Sequence, residues 1–144
     1  MKLRKIDDSP KTFILVFETG DELAGGLQHF AKDQHLSAAS FTAIGALSSV
    51  HLGWFCWDSK KYERSVTLDE QIELLSLIRD AALKDGEPVV HANVVVGAKD
   101  GTAPCGHLLE VHMQPTCEVV ITESSVTTLQ KVVDPESGLA LIKP

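Results

Sequence analysis

Two histidines and an asparagine in the segment 91–118 are of types that could hold a metal ion or a polar ligand. His91 and Asn93 are two positions apart, so in a β-strand their side chains point to the same face of the sheet. Neutral imidazole is the commonest protein ligand for metal ions such as zinc. The chemistry therefore depends on whether His107 returns to that face on a neighbouring strand.

A short connection should bring the two histidines together. Residues 99–101, Lys-Asp-Gly, predict a three-residue hairpin loop in which the glycine supplies the left-handed conformation. Counting outward from this loop places Asn93 opposite His107 and His91 opposite Leu109. The two histidines are then diagonal neighbours, about 7–8 Å apart at the backbone, and their imidazoles can close that gap around one ion or ligand.

The register of the returning strand depends on Pro104 and Gly106. Proline has no N–H to donate and is tolerated at a sheet edge or a bulge. A bulge would slide His107 by one residue and turn it to the opposite face, and Gly106 could absorb such a kink. The predicted pocket therefore requires an unbroken register.

The identity of a third ligand stays open. A catalytic zinc needs three protein ligands and an open fourth position, and His91 and His107 supply two. The third could be the Asn93 amide oxygen, a Glu118 carboxylate or a Cys105 thiolate. A neutral amide suits zinc poorly, so the alternative is a polar pocket that holds no metal.

The same residues also fit purely structural roles. Paired histidines on a sheet can be hydrogen-bonded core or interface residues, and Glu118 can occupy an exposed position on a half-covered sheet. The aromatic residues Trp54, Phe55 and Trp57 fit core or subunit contacts better than a base-stacking platform. His112 is spaced from His107 so that it should face away from the pocket.

Composition sets limits on the class of protein. A chain of 144 residues, 44% hydrophobic and 23% charged, fits one globular domain over residues 1–144. Its three cysteines have no CxxC spacing, which argues against a disulfide framework and a structural zinc knuckle. No apolar run approaches the roughly 18 residues that span a bilayer, and the first residues lack a signal peptide's apolar core. We therefore expect a cytoplasmic protein without a membrane partner.

A net charge of −7 argues against general binding to nucleic acid, which is driven by phosphate neutralisation. No helix-spaced basic stripe is present, and ordinary surface charge is the favoured interpretation. The candidate basic residues are Lys2, Arg4, Lys5, Lys60, Lys61, Arg64, Lys131 and Lys143.

The hydrophobic pattern predicts an α+β single domain with a mostly antiparallel sheet flanked by helices. A helix should begin at Glu22, with Asp21 as its N-cap, and end near His35. Periodicity alone favours a helix over residues 71–83, although a strand buried on both faces also fits. Residues 60–64 predict a turn with a short extension. Strands are predicted at 12–18, 39–50, 51–57, 89–97, 108–113 and 117–123, with edge segments at 129–133 and 139–142.

Several motifs resemble the PPC domain, the plant-and-prokaryote-conserved domain that stands alone in bacteria and archaea and follows AT-hooks in plant nuclear proteins. The matching strings are Ser76-Leu77, Gly86-Glu87-Pro88, His91, Asp100-Gly101, Gly106-His107-Leu108 and Thr116-Cys117-Glu118-Val119, flanked by FTAIGALSSVHLGWF and DPESGLALI. The likeness covers nearly the whole chain. The chain departs from the pattern at Asn93, where a second histidine is usual, and at Cys105, where a glycine is usual.

The resemblance implies a homotrimer, a strand over residues 71–83, and a three-histidine metal site of which Asn93 removes one ligand. It leaves three classes of function open. The first is a DNA-associated regulatory module, although the AT-hook core that contacts DNA in plant members is missing from this chain. The second is a metal-dependent enzyme, since acetolactate decarboxylase is similar in fold. The third is a trimeric scaffold or sensor with a small-ligand pocket lined by His91, Asn93, Cys105, Gly106, His107 and Glu118.

Overall fold

The computed structural model describes residues 2–8, 10–125 and 127–143, with side chains for 10–125 and 127–143. The described ranges form nine strands and one helix. These are β1 (Lys2–Asp8), β2 (Lys11–Glu18), α1 (Leu23–Asp33), β3 (Ala38–Cys56), β4 (Lys61–Leu68), β5 (Ile72–Lys84), β6 (Glu87–Gly97), β7 (Cys105–Glu123), β8 (Gln130–Val133) and β9 (Ala140–Lys143).

Four strands form a closed circuit. β3 pairs with β5 and β7, β5 pairs with β6, and β6 pairs with the first residues of β7, all antiparallel. Most side chains on the inner face are apolar, and each fully buried apolar one contributes about 1.5–3 kcal/mol. They include Leu47, Leu52, Ile72, Leu77, Val94, Val96, Val111 and Met113.

The two longest strands each replace a predicted pair of strands. β3 runs unbroken through 39–50 and 51–57, and β7 runs unbroken through 108–113 and 117–123. A Cβ atom at Gly45 would lie 2.5 Å from the Thr116 carbonyl oxygen. Glycine therefore permits a close approach of β3 and β7 here, where the sequence suggested a bend. Residues 72–84 form a strand, as the family resemblance implied and periodicity did not.

The one helix of the described residues packs against the circuit, so the expectation of several flanking helices is wrong. Glu22 is the N-cap, because its carboxylate accepts from the amides of Ala24 and Gly25; the predicted cap, Asp21, accepts instead from Glu18. The Gln28 side chain donates to the Pro88 carbonyl and accepts from the Val90 amide of β6. These hydrogen bonds join α1 to the first residues of β6, which precede the part of β6 that pairs with β7.

Two strands were not predicted. β1 pairs with β2, and β4, expected as a turn with a short extension, pairs with the second half of β3. The β4 sequence, KYERSVTL, is largely polar because most of its side chains are solvated. Residues 129–133 and 139–142 do form the predicted edge segments, as β8 and β9. In the part of the chain described, no helix has the length and apolar character to cross a bilayer.

Candidate functional site

The β6–β7 hairpin has the register that the sequence predicts. The Ala98 amide donates to the Thr102 carbonyl across the loop, and Asn93 pairs with His107. Pro104 lies just before β7 and contributes only its carbonyl, which accepts from the Val96 amide. The proline therefore causes no bulge between the loop and His107, and His107 stays on the face of Asn93.

The imidazole rings of His91 and His107 come together on this face. Their centroids are 5.0 Å apart and their planes differ by 26°. The ring of Tyr62, on β4, stacks on His107 at 3.8 Å with an interplanar angle of 17°. Its hydroxyl oxygen lies 3.3 Å from His91 Nε2. Three rings from three strands thus form one column, which we call the histidine stack.

Sequence reasoning missed Tyr62 because residues 60–64 predicted a turn. The signal that could have found it is the run of alternating residues that follows Lys61, which pairs Tyr62 with Phe55 on β3. Burial raises the pKa of Tyr62, so its hydroxyl is protonated at neutral pH. It can therefore donate to His91.

His107 is neutral at physiological pH. Burial first, and then unfavourable electrostatic interactions with His91 and Arg79, lower its pKa from 6.5 to about 4. Arg79 is itself buried on the inner face of β5. The Nδ1 atom of His107 is buried and has no hydrogen-bond partner among the described residues. A neutral imidazole can accept or donate one hydrogen bond, so His107 can serve either kind of ligand group.

An ion pair between a partly exposed carboxylate and a buried lysine lies next to His91. The Asp80 carboxylate lies 3.8 Å from His91 Nδ1 and pairs with the ammonium of Lys131. Burial raises the pKa of Asp80, but its bonds to His91 and Lys131 outweigh this and hold the pKa below its ordinary value. The Lys131 side chain is only 3% exposed. Lys131 is therefore a structural partner of Asp80, and the expectation that it is surface charge is wrong.

The remaining predicted site residues are only partly brought together. Gly106 lines the same cavity as Asn93 and His107. Cys105 is exposed, pairs with Val95 and lies outside the lining of that cavity.

The structure corrects the placement of Glu118 in the pocket. Its partner is Ile44 on β3, and it lines a different groove with Leu75. His107 on β7 pairs with Asn93 on β6, which pairs with Ile78 on β5. Ile78 pairs with Thr42 on β3, and Thr42 pairs with Val120 on β7, two residues after Glu118. Three strands therefore separate the carboxylate from the histidine stack.

The histidine stack does not fit a zinc ion within one subunit. Both ring nitrogens of His91 already face protein groups, Tyr62 and Asp80. Nearly parallel rings also direct their lone pairs along parallel lines instead of toward one point. Within the described ranges, no three histidine, cysteine or acidic side chains are grouped so as to hold a metal.

The polar edge of the stack opens into a cavity of about 320 Å³. Its lining residues are Gly53, Trp54, Phe55, Trp57, Tyr62, Asn93, Gly106 and His107. Trp54 is 72% exposed and Trp57 is 57% exposed, so neither is a core residue of the subunit, and the predicted alternative of a subunit contact stays a prediction. The volume lies at the small end of the range for small-molecule sites.

A second group of histidines lies elsewhere on the surface. His51 Nδ1 and His112 Nε2 contact the two oxygens of the Glu110 carboxylate at 3.1 and 3.2 Å. As predicted, His112 takes no part in the pocket.

Comparison with known proteins places these features in a wider group. The family model of the Plants and Prokaryotes Conserved (PCC) domain matches residues 4–125. No curated protein matches the chain. Among solved structures, a putative DNA-binding protein from Bacteroides thetaiotaomicron superposes with a TM-score of 0.88 at 25% identity, over 99% of this chain and 96% of that one.

Two archaeal structures are also similar. A plant- and prokaryote-conserved (PPC) protein from Pyrococcus horikoshii has a TM-score of 0.83 and 32% identity, over 92% of this chain and 91% of that one. A metal-containing protein from Archaeoglobus fulgidus has a TM-score of 0.83 and 30% identity, and the match covers 100% of both chains. The family model and the structural similarity therefore indicate the same family.

Proposed function

The chain belongs to the Plants and Prokaryotes Conserved domain family, and from this premise we propose that it is a homotrimeric regulatory module with a histidine-lined pocket for a small polar ligand. The observation that carries the proposal is the position of Asn93. It pairs with His107 on one side and with Ile78 on the other, and Ile78 is 71% exposed. The pocket thus borders an apolar surface that a second subunit can cover.

The apolar surface follows the strand pairing. Ile78 pairs with Thr42, and Thr42 pairs with Val120, so these side chains form a row across the outer face of β5, β3 and β7. Ile44, 63% exposed, and Leu75 extend the row into a patch. Contiguous exposed apolar surface of this kind marks a protein–protein contact. Burying it between identical subunits is the simplest way to remove it from water.

Light scattering of the purified protein tests the assembly. We expect a trimer in the wild type and a monomer in Ile78→Lys, because a lysine at the centre of the contact would have to bury its charge. Val132→Lys is the matched control, since Val132 is an exposed apolar residue on β8, away from this face. A wild-type monomer, or equal effects of both variants, would reject the assembly.

Direct binding to duplex DNA is a second candidate, favoured by the name of the Bacteroides structure. The net charge of −7 opposes it, and Lys131 is occupied by Asp80. We expect no shift when duplex DNA is titrated into the protein at low salt. A shift that weakens as salt rises would instead establish phosphate contacts and support the DNA-binding reading.

Zinc at the pocket stays a prediction of the sequence, and the name of the Archaeoglobus structure favours it. We expect less than one zinc per subunit in the purified wild type, because the third ligand position holds Asn93. Asn93→His supplies a third imidazole and should raise the bound zinc, but to less than one per subunit, because both His91 nitrogens still face Tyr62 and Asp80. Stoichiometric zinc in the wild type, lost in His91→Ala but retained in the control His112→Ala, would establish a metal site.

A further inference from the structure

The aromatic wall of the cavity contains two tryptophans that the fold does not need. Trp54 and Trp57 are both largely exposed, whereas the core of the circuit is closed by other residues. Phe55 holds Trp57 in place, because the Phe55 ring packs edge-on against Trp57 and Tyr62, both at 5.5 Å. Large exposed indoles on a fixed support are typical of a surface that stacks on a ligand.

The cavity combines this wall with a polar edge. Asn93 and His107 lie opposite each other in the hairpin, and both line the cavity. The Asn93 amide has no hydrogen-bond partner in the described part of the chain. An amide offers one donor group and one acceptor side by side, which is the pattern found along the edge of a nucleobase.

The close contact of β3 and β7 keeps the back of the cavity free of side chains. A Cβ atom at Gly106 would lie 2.9 Å from the Gly53 carbonyl oxygen, so a larger residue would not fit there without a shift of the strands. Both glycines line the cavity. The resulting space is bounded by flat aromatic surfaces and by backbone.

We propose that this cavity binds a planar nitrogen heterocycle of the nucleobase type, stacked on Trp54 or Trp57 and hydrogen-bonded through Asn93 and His107. The inference rests on the proposed pocket and names its ligand class. A free nucleoside and an unpaired base of single-stranded nucleic acid present the same ring, so either can be the source.

The charges around the aromatic wall indicate that the ring of the ligand contributes more to the binding affinity than an attached phosphate does. Lys60 Nζ lies 4.4 Å from the centre of the Trp57 ring. However, acidic and basic residues are mixed in the surrounding sequence: Asp58, Lys60, Lys61, Glu63 and Arg64. No strong positive field results, and a phosphate attached to the ligand should change affinity by less than about threefold.

Tryptophan fluorescence tests the proposal directly, because the chain has two tryptophans and both line the cavity. The probes are adenosine, thymidine, adenosine monophosphate and a single-stranded oligonucleotide of the same bases, with ribose and inorganic phosphate as controls. We expect saturable quenching by both nucleosides and none by the controls. Tighter binding of the oligonucleotide would identify a nucleic acid strand as the source, and equal or weaker binding would identify free nucleosides.

Variants locate the contact. Trp54→Ala leaves Trp57 as the reporter, and Trp57→Ala leaves Trp54. The variant that removes the stacking indole should weaken binding by roughly tenfold, with partial recovery when phenylalanine replaces it, since stacking contributes about 1–3 kcal/mol per base. Asn93→Ala should weaken binding by about fivefold, as expected for one lost hydrogen bond. Leu141→Ala, an exposed apolar change on β9, should have no effect.

Two results would overturn the inference. One is the absence of saturable quenching by any of the base-containing probes. The other is a shift of tryptophan emission to longer wavelength in Ile78→Lys, which would show that the tryptophans are subunit contacts. The trimer itself is measured separately, by light scattering. The proposed ligand class can therefore be rejected while the assembly is supported, and the assembly can be rejected while ligand binding is supported.

Discussion

Two pairs of histidines lie on this sheet, and their surroundings give them different chemistry. His91 and His107 stack on each other beneath Tyr62, and burial keeps His107 neutral. His51 and His112 instead share the Glu110 carboxylate at the surface. Hydrogen bonds from these two histidines, His112 first, lower the pKa of Glu110. The neighbouring side chain, aromatic in one pair and acidic in the other, therefore decides what a histidine pair can do.

The contrast also concerns stability. Behind His91 lies the ion pair of Asp80 with a buried lysine, so the histidine stack is tied into the interior. Glu110 is about half exposed, and among the described residues its carboxylate contacts only the two histidines. Solvent screens such an exposed group, and exposed ion pairs contribute little to folding. The same type of substitution should therefore have unequal effects at the two places.

The largest difference is expected for the two carboxylates. Asp80→Asn leaves the Lys131 ammonium buried without an opposite charge and should lower the free energy of unfolding by about 3 kcal/mol. Glu110→Gln removes only solvent-exposed interactions and should lower it far less than Asp80→Asn does. Chemical denaturation at neutral pH measures both. Equal losses in the free energy of unfolding would show that the buried Lys131 ammonium does not need the Asp80 charge for stability.

A second difference appears in the pH dependence of stability. Folded His107 stays neutral down to about pH 4, whereas an unfolded histidine binds a proton near pH 6.5. Between these values the unfolded chain binds more protons, so the free energy of unfolding falls as pH is lowered through this window. Because the ring is partly exposed, we expect a loss of only about 1 kcal/mol.

His107→Gln should remove this slope, which denaturation curves collected from pH 7 to pH 4 would reveal. Glu110→Gln is the matched comparison. The lowered pKa of Glu110 stabilises the fold above its ordinary value of 4.5, and this contribution is lost as pH falls below 4.5. A slope between pH 6.5 and 4.5 that survives in His107→Gln would contradict the assignment.

The smallest difference concerns single hydrogen bonds. Tyr62→Phe keeps the stacked ring but removes the hydroxyl that contacts His91, and should lower the free energy of unfolding by about 1 kcal/mol. His112→Gln at the exposed group should change it by less than about 0.5 kcal/mol. Thermal unfolding of the two variants ranks them. A neutral Tyr62→Phe would show that stacking alone positions His91.

Local sequence signals were sufficient for the hairpin that carries the site. The glycine of the Lys-Asp-Gly loop and the two-residue period of a strand together predicted that Asn93 would pair with His107, and the structure confirms it. The motifs resembling the family also predicted a strand over residues 71–83, where hydrophobic periodicity favoured a helix, and the observed strand covers residues 72–84.

Contacts between distant segments were not predictable in this way. Tyr62 reaches His107 only because β4 folds back along β3, and its polar sequence resembled a turn. Lys131 reaches Asp80 from the far end of the chain. Glu118 carries the right chemistry for a ligand, yet the path of the sheet takes it to another groove.

The sequence by itself determined the two strands of the site hairpin, their short loop and the face on which His91, Asn93 and His107 lie, since these depend on neighbours in the chain. Only the tertiary structure decided which rings and charges surround the histidines. A pKa, a stack or an ion pair depends on groups brought together from strands far apart in sequence, and no local pattern encodes those distances. For this reason His91 and His107 could be named from the sequence, whereas their chemistry could not.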